Sequence, residues 1–183
     1  AIPPAMADLI DPSDPDDPIA RQFVPHRDEL VGHPDELADP ISDRSFEVVK
    51  GLIHRYPDRV LLKLVGSCPV YCRFCFRREH VGPDGGLLSE AELDAAIAWI
   101  ADHKAIREVI LTGGDPLMLS ARRLSSILDR LSSISHVETL RIHSRVPIVQ
   151  PSRLSDELVA ALKPARATLW FGVHCNHARE LGN

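Results

Sequence analysis

Cys68, Cys72 and Cys75 lie within eight residues of one another, in the segment Gly66-Ser67-Cys68-Pro69-Val70-Tyr71-Cys72-Arg73-Phe74-Cys75-Phe76-Arg77-Arg78. Their spacing is C-x3-C-x2-C. Three thiolates on one short loop can each take one iron of a cubane cluster, leaving the fourth iron without a protein ligand. Ferredoxin clusters held by four cysteines have no such free position. The amino and carboxylate groups of S-adenosylmethionine can chelate an open iron of that kind. An electron from the reduced cluster can then break a carbon–sulfur bond and release a 5′-deoxyadenosyl radical. Two plainer readings stand beside this one: a structural zinc site with His80 as fourth ligand, and three unrelated buried thiols. The fourth cysteine, Cys175, lies far along the chain and reads as a small buried residue.

Other residue types capable of chemistry recur at intervals. Gly113-Gly114-Asp115-Pro116 reads either as a glycine turn or as a place where backbone approaches a ligand closely. Arg77 follows the last cysteine of the loop by two residues, and arginine forms bidentate pairs with carboxylates. Arg55-Tyr56-x-x-Arg59 reads as an exposed basic turn or as a phosphate clamp in which two arginines neutralise a dianion. His143, His174, Asn176 and His177 complete the set without a definite role, and Arg145 adds a further charge.

These residues need elements to position them, and the hydrophobic pattern supplies a candidate set. Short apolar runs at Val60–Val65, Glu108–Thr112, Thr139–His143 and Thr168–Val173 read as strands. Between them, helical spacing appears after Ser89 (with Glu92 three residues on, a capping box), after Ser120, and over Ser155–Leu162. Alternation of this kind predicts βαβ units and a parallel sheet. Such sheets present ligands at the carboxyl ends of their strands. The cysteines, Gly113–Asp115, His143–Arg145 and His174–His177 each follow a strand. The expected fold is α/β: a partial (β/α) barrel with about four parallel strands. Residues 48–183 form its core, and residues 1–47 form an irregular or helical extension, partly loop or disordered. Trp99, Trp170 and Phe171 read as core. A four-strand sheet leaves an open edge, so the chain is expected to be truncated at its C-terminal side.

The bulk properties agree with this reading. Of 183 residues, 44% are hydrophobic and the net charge is −5, which argues against bulk nucleic-acid binding. No apolar run reaches the roughly 18–20 residues of a membrane span. Residues 1–18, rich in Asp and Pro, lack the pattern of a secretory leader. Clustered cysteines without that leader point to metal ligands in a reducing compartment, and a cytoplasmic location is expected.

The CxxxCxFC segment after a first strand resembles the radical S-adenosylmethionine superfamily signature. HRYPDRVLL, CRFCFRR, LTGGDPL, LRIHSRVPIVQPSRL and the final HxNH occur in the order and spacing of the lysine 2,3-aminomutase family, over about residues 48–180. The CFRR and LRIHSR segments especially resemble the branch that makes β-lysine for modifying elongation factor P. The resemblance implies interconversion of L-lysine and β-lysine by a 1,2-amino shift, with a 4Fe-4S cluster, S-adenosylmethionine and pyridoxal 5′-phosphate as cofactors. It implies Cys68, Cys72 and Cys75 as cluster ligands. It places Phe74, Gly113, Gly114 and Asp115 at S-adenosylmethionine, with Asp115 accepting from the cofactor's amino group. Arg55, Tyr56 and Arg59 fall to pyridoxal phosphate, and Arg77 to the substrate carboxylate. The family's pyridoxal-bearing lysine lies past residue 183, so no catalytic residue is nominated. An electron donor such as flavodoxin or ferredoxin is the expected partner, with no nucleic acid and no membrane; self-association stays open. The alternatives are a glutamate or arginine 2,3-aminomutase, a superfamily member that needs no pyridoxal phosphate, and a non-catalytic zinc-binding or scaffold domain.

Overall fold

The computed structural model of the protein describes residues 2–82 and 86–182. Six strands form one sheet in sequential order: β1 (Glu47–Val49), β2 (Leu52–Tyr56), β3 (Arg59–Val65), β4 (Glu108–Gly113), β5 (Thr139–Ser144) and β6 (Thr168–Val173). β3 to β6 are parallel to one another. β1 and β2 are antiparallel additions on the β3 side. Sequential parallel order winds in one direction and puts the connecting helices on a single face, the arrangement of a barrel wall. The sheet is open, so the architecture is part of a (β/α) barrel.

α3 (Glu90–Asp102) begins at Ser89, whose hydroxyl accepts from Glu92 N while the Glu92 carboxylate accepts from Ser89 N. α4 (Ala121–Ser132) starts at Ser120 and α6 (Asp156–Ala161) at Ser155, each hydroxyl accepting from a backbone N–H three residues on. These caps satisfy donors that a helix leaves without partners. Three further short helices are α1 (Pro4–Ala7), α2 (Ala20–Phe23) and α5 (Val146–Val149).

Strand alternation decides where the core lies. Val60, Leu62 and Leu64 of β3, Val109 and Leu111 of β4, and Leu140 and Ile142 of β5 are buried under the helices, against Leu93, Ile100, Leu124, Leu128 and Leu131. The opposite face carries Leu61, Ile110, Arg141 and Trp170 in register. Trp170 is 62% exposed there. It is therefore not a core residue, as its size suggested, because period-two alternation along β6 turns it to the uncovered face.

The β1–β2 hairpin was not among the expected strands. Its turn rests on Gly51 at φ +81°, a conformation that favours glycine, and β1 is only three residues long. Residues before β1 are mostly turns; those up to Phe23 pack on the body, while residues 24–38 are exposed. Met6, Ile19 and Phe23 are buried with Val70 of the cysteine segment and with Ile148 and Val149. No helix among the described residues is long and apolar enough to cross a membrane.

Asp17 fixes this arm. It is fully buried, and its carboxylate accepts from Ile19 N at 2.9 Å, Ala20 N at 2.7 Å and the Arg179 guanidinium. Burial pushes the carboxyl pKa up, but the hydrogen bonds, led by Ala20 N–H and Arg179, outweigh it and hold it at about 2. A pKa below the unfolded value stabilises the fold fully above that value and loses the contribution as pH falls toward the folded one. Asp17→Ala is expected to lower unfolding free energy by about 1–2 kcal/mol at pH 7 through the lost hydrogen bonds to a charged acceptor. The gap should shrink to about half near pH 3. Urea denaturation at both pH values checks this, and a gap of equal size at the two would contradict it.

Candidate functional site

β3 delivers the chain at Val65 into the loop that bears the cysteines. The loop is closed at its base by Gly82 N donating to Gly66 O and Gly66 N donating to Gly86 O, both at 2.9 Å. Inside it, Cys75 N donates to Cys72 O, and Arg78 N to Cys75 O, so the segment coils in tight turns. Val70 is buried against the arm, and Arg73 N donates to Gln22 O at 2.9 Å. Cys68, Cys72 and Cys75 are all free thiols, partly accessible. All three line one cavity of about 370 Å³ at the carboxyl ends of the parallel strands. That volume falls within the range of small-molecule sites.

Among the described residues no three His, Cys, Asp or Glu side chains converge tightly enough to hold a single metal ion. The thiols instead stand around the cavity. Burial, then the charge of Asp115 and the other two sulfurs, pushes the Cys68 thiol up to about 12. Burial also pushes Cys72 up, opposed by the neighbouring Arg145 guanidinium. Thiols in such surroundings keep their protons until a cation displaces them.

The second loop forms the cavity floor. Val65 pairs with Gly113 in register, and Gly113 has φ +126°. Gly114 N donates to Val65 O, and Asp115 N donates to Ser67 O at 2.9 Å. A Cβ on Gly113 would strike the backbone of Val65, and one on Gly114 the carbonyl of Ser67, well inside contact distance. The glycines therefore exist to let β4 cross the root of the cysteine loop.

Asp115, 4% exposed, ties this loop to the next. Its carboxylate accepts from Leu117 N at 3.0 Å, Ser144 Oγ at 2.8 Å and Arg145 N at 2.8 Å. Burial pushes its pKa above the ordinary carboxylate range, against those donors. Asp115 borders the cavity, but its hydrogen bonds are made inside the protein, so it acts first as the tie between loops.

Arg145 is the functional-site residue that sequence reasoning left without a role. Its side chain is 6% exposed. Nη1 donates to Cys72 Sγ at 2.9 Å, and Nη2 to Gln22 Oε1 at 2.5 Å and Glu180 Oε1 at 3.0 Å. The guanidinium lies over the rings of Phe23 and Phe74 at 4.9 and 5.6 Å. Burial opposes ionisation of Glu180. The N–H of Asn176, the Gln22 amide and the Arg145 charge outweigh it and hold the carboxyl below its usual range. Neither Gln22 nor Glu180 belongs to a readable motif. They meet Arg145 across 123 and 35 residues of sequence.

The walls include Arg77, Phe74, His143 and His174. Phe74 meets the His174 ring edge-on at 5.9 Å, and His174 Nε2 pairs with Asn176 Oδ1 at 2.8 Å. Arg77 Nε donates to the buried Asp43 at 2.9 Å. The Arg55-Tyr56-x-x-Arg59 set is not gathered into one clamp. Arg55 donates to Ile41 O, faces Asp43 at 3.7 Å and lies over Phe46. Arg59 begins β3 at the end away from the cysteines, paired with Asp58 and Glu108. Tyr56 ends β2 and is exposed, with the Arg59 guanidinium 5.8 Å from its ring and Arg55 directed elsewhere.

Comparison with known proteins bears on this arrangement. Residues 62–180 match the model of the Radical SAM superfamily. The chain is similar to L-lysine 2,3-aminomutases: 41% identical to that of Acetoanaerobium sticklandii, 43% to that of Methanococcus maripaludis and 37% to that of Escherichia coli. These matches cover 98–99% of the chain but 42–52% of the relatives, so the chain spans about half their length or less.

The glycine floor yields a test. Gly114→Ala is expected to cost about 1–3 kcal/mol, as overpacking does. Gly82→Ala, with open space around the position, should stay within about 0.5 kcal/mol. Denaturant unfolding of the two variants checks this, and equal effects would remove the close-crossing argument.

Proposed function

The chain belongs to the radical SAM superfamily, and from that premise we propose that it is the cluster-bearing part of a lysine 2,3-aminomutase, converting L-lysine to β-lysine. The observation that carries the reading is the convergence of Cys68, Cys72, Cys75, the Gly113–Gly114 backbone and Arg77 on one cavity. The relatives' shared name supplies the amino-acid substrate.

The donor set fits a 4Fe-4S cluster. Three thiols on one loop, all facing one cavity, can take one iron each and leave the fourth iron free of protein, unlike a four-cysteine ferredoxin site. When bound with S-adenosylmethionine, the cluster supplies an electron to a carbon–sulfur bond and so a 5′-deoxyadenosyl radical. The chain's own residues hold and shield. Gly113 and Gly114 leave backbone bare on the floor for the methionine end of that cofactor. Phe74 and His174 form an aromatic wall. Asp115 keeps the second and third loops together.

Arg77 is the residue for the substrate carboxylate. Asp43 takes its Nε. Among the described residues no hydrogen bond engages its two Nη groups, which suits a bidentate grip. Pyridoxal phosphate is the further cofactor that the family resemblance implies. Arg55, Tyr56 and Arg59 do not form a phosphate site as they stand, so no step is assigned to them. Arg55 approaches the site most closely, through the Asp43 it shares with Arg77. A low-potential flavodoxin or ferredoxin as electron donor and a cytoplasmic setting complete the proposal.

Two measurements test it. Cys72→Ala, purified anaerobically and reconstituted with iron and sulfide, is expected to lose the brown colour and 5′-deoxyadenosine formation together; retention of both would refute the ligand assignment. Arg77→Ala in the complete enzyme should raise KM for lysine about 10–100-fold, the loss of a charge-assisted hydrogen-bond pair, with iron content unchanged. An unaltered KM would remove the carboxylate role. Assay of glutamate and arginine beside lysine decides the substrate.

A further inference from the structure

Arg145 has a buried charge, a fixed direction and a sulfur as its target. Among the described residues its Nη1–H is the one hydrogen bond made to any of the three loop sulfurs. The side chain cannot swing away cheaply. Nη2 is held by Gln22 and Glu180, the planar group lies against the rings of Phe23 and Phe74, and the backbone N–H is anchored on Asp115. Water is nearly excluded. The sulfur it touches is that of the middle cysteine, one of three proposed to hold iron.

We propose that Arg145 is a positioning residue that sets the reduction potential of the cluster, by donating a charged N–H to the Cys72 sulfur, with Glu180 tempering its charge. This rests on the cluster-bearing reading above. Hydrogen bonds to ligand sulfurs, net charge and solvent exposure are the protein's means of setting such potentials. A donor on a thiolate draws electron density from the iron–sulfur unit and makes the added electron easier to accept. Removing it makes reduction harder. Removing the nearby carboxylate while the donor stays does the reverse. A merely structural role for the arginine predicts no such opposition of sign.

The experiment is a potentiometric measurement, followed by electron paramagnetic resonance, on anaerobically reconstituted protein without S-adenosylmethionine. Arg145→Met is expected to lower the reduced-to-oxidised ratio about tenfold at the wild-type midpoint, which for a one-electron couple is about 59 mV. Glu180→Gln is expected to raise it. Shifts of the same sign in both variants, or none, overturn the inference while leaving the cluster reading intact. A wild-type protein that takes up no iron and sulfide overturns both. Should Arg145→Met fail to take up the cluster, wild-type protein carrying 15N-labelled arginine decides. A guanidinium nitrogen coupling to the reduced cluster in pulsed spectra supports the bond, and its absence overturns it.

Discussion

Asp115 accepts from Leu117 N, Ser144 Oγ and Arg145 N, three donors on two loops, while 4% exposed. If the loops parted, a carboxylate and several donors would lie buried without partners, at a cost of about 1–3 kcal/mol for each group. The rim therefore has a single arrangement. With the backbone of Arg145 fixed there and its guanidinium held by Gln22 and Glu180, the side chain reaches Cys72, and the cysteine loop is tied to a residue two strands away. The same Asp115 donates its own N–H to Ser67 O, so the first three loops are joined through one residue.

The arm completes what the sheet begins. Gln22 and Phe23 close over the Arg145 side chain, and Arg73 N bonds to Gln22 O. Asp17 takes Arg179 on the far side. A buried ion pair such as Arg145–Glu180 is poor evidence of stability, since desolvation offsets much of its attraction. Its value here is directional: it holds a nearly buried cation against the Cys72 sulfur.

Much of the frame was legible in the sequence. The four parallel strands, the capping box of α3 and the helical stretches of α4 and α6 follow from local periodicity and capping chemistry, which act within a few residues. The cysteines, the glycine pair and the strand-end histidines fall at the carboxyl rim as expected. What was not legible depended on distance or on which face a side chain takes. Trp170 looks like core by size, yet alternation along β6 puts it opposite the helices. Arg55 and Arg59 look like one clamp by spacing, yet a hairpin turn separates their side chains and each finds an acidic neighbour. Gln22 and Glu180 carry no local signal, because their meaning exists only once the arm has folded over the rim.

The glycine crossing has a consequence for diversification. Where Gly113 and Gly114 pass the root of the cysteine loop, a side chain at either position would press on the backbone of Val65 or Ser67. Every substitution there costs stability first. New preferences are therefore inscribed more readily on the flanks of the cavity, at positions such as Arg77, His143 and His174.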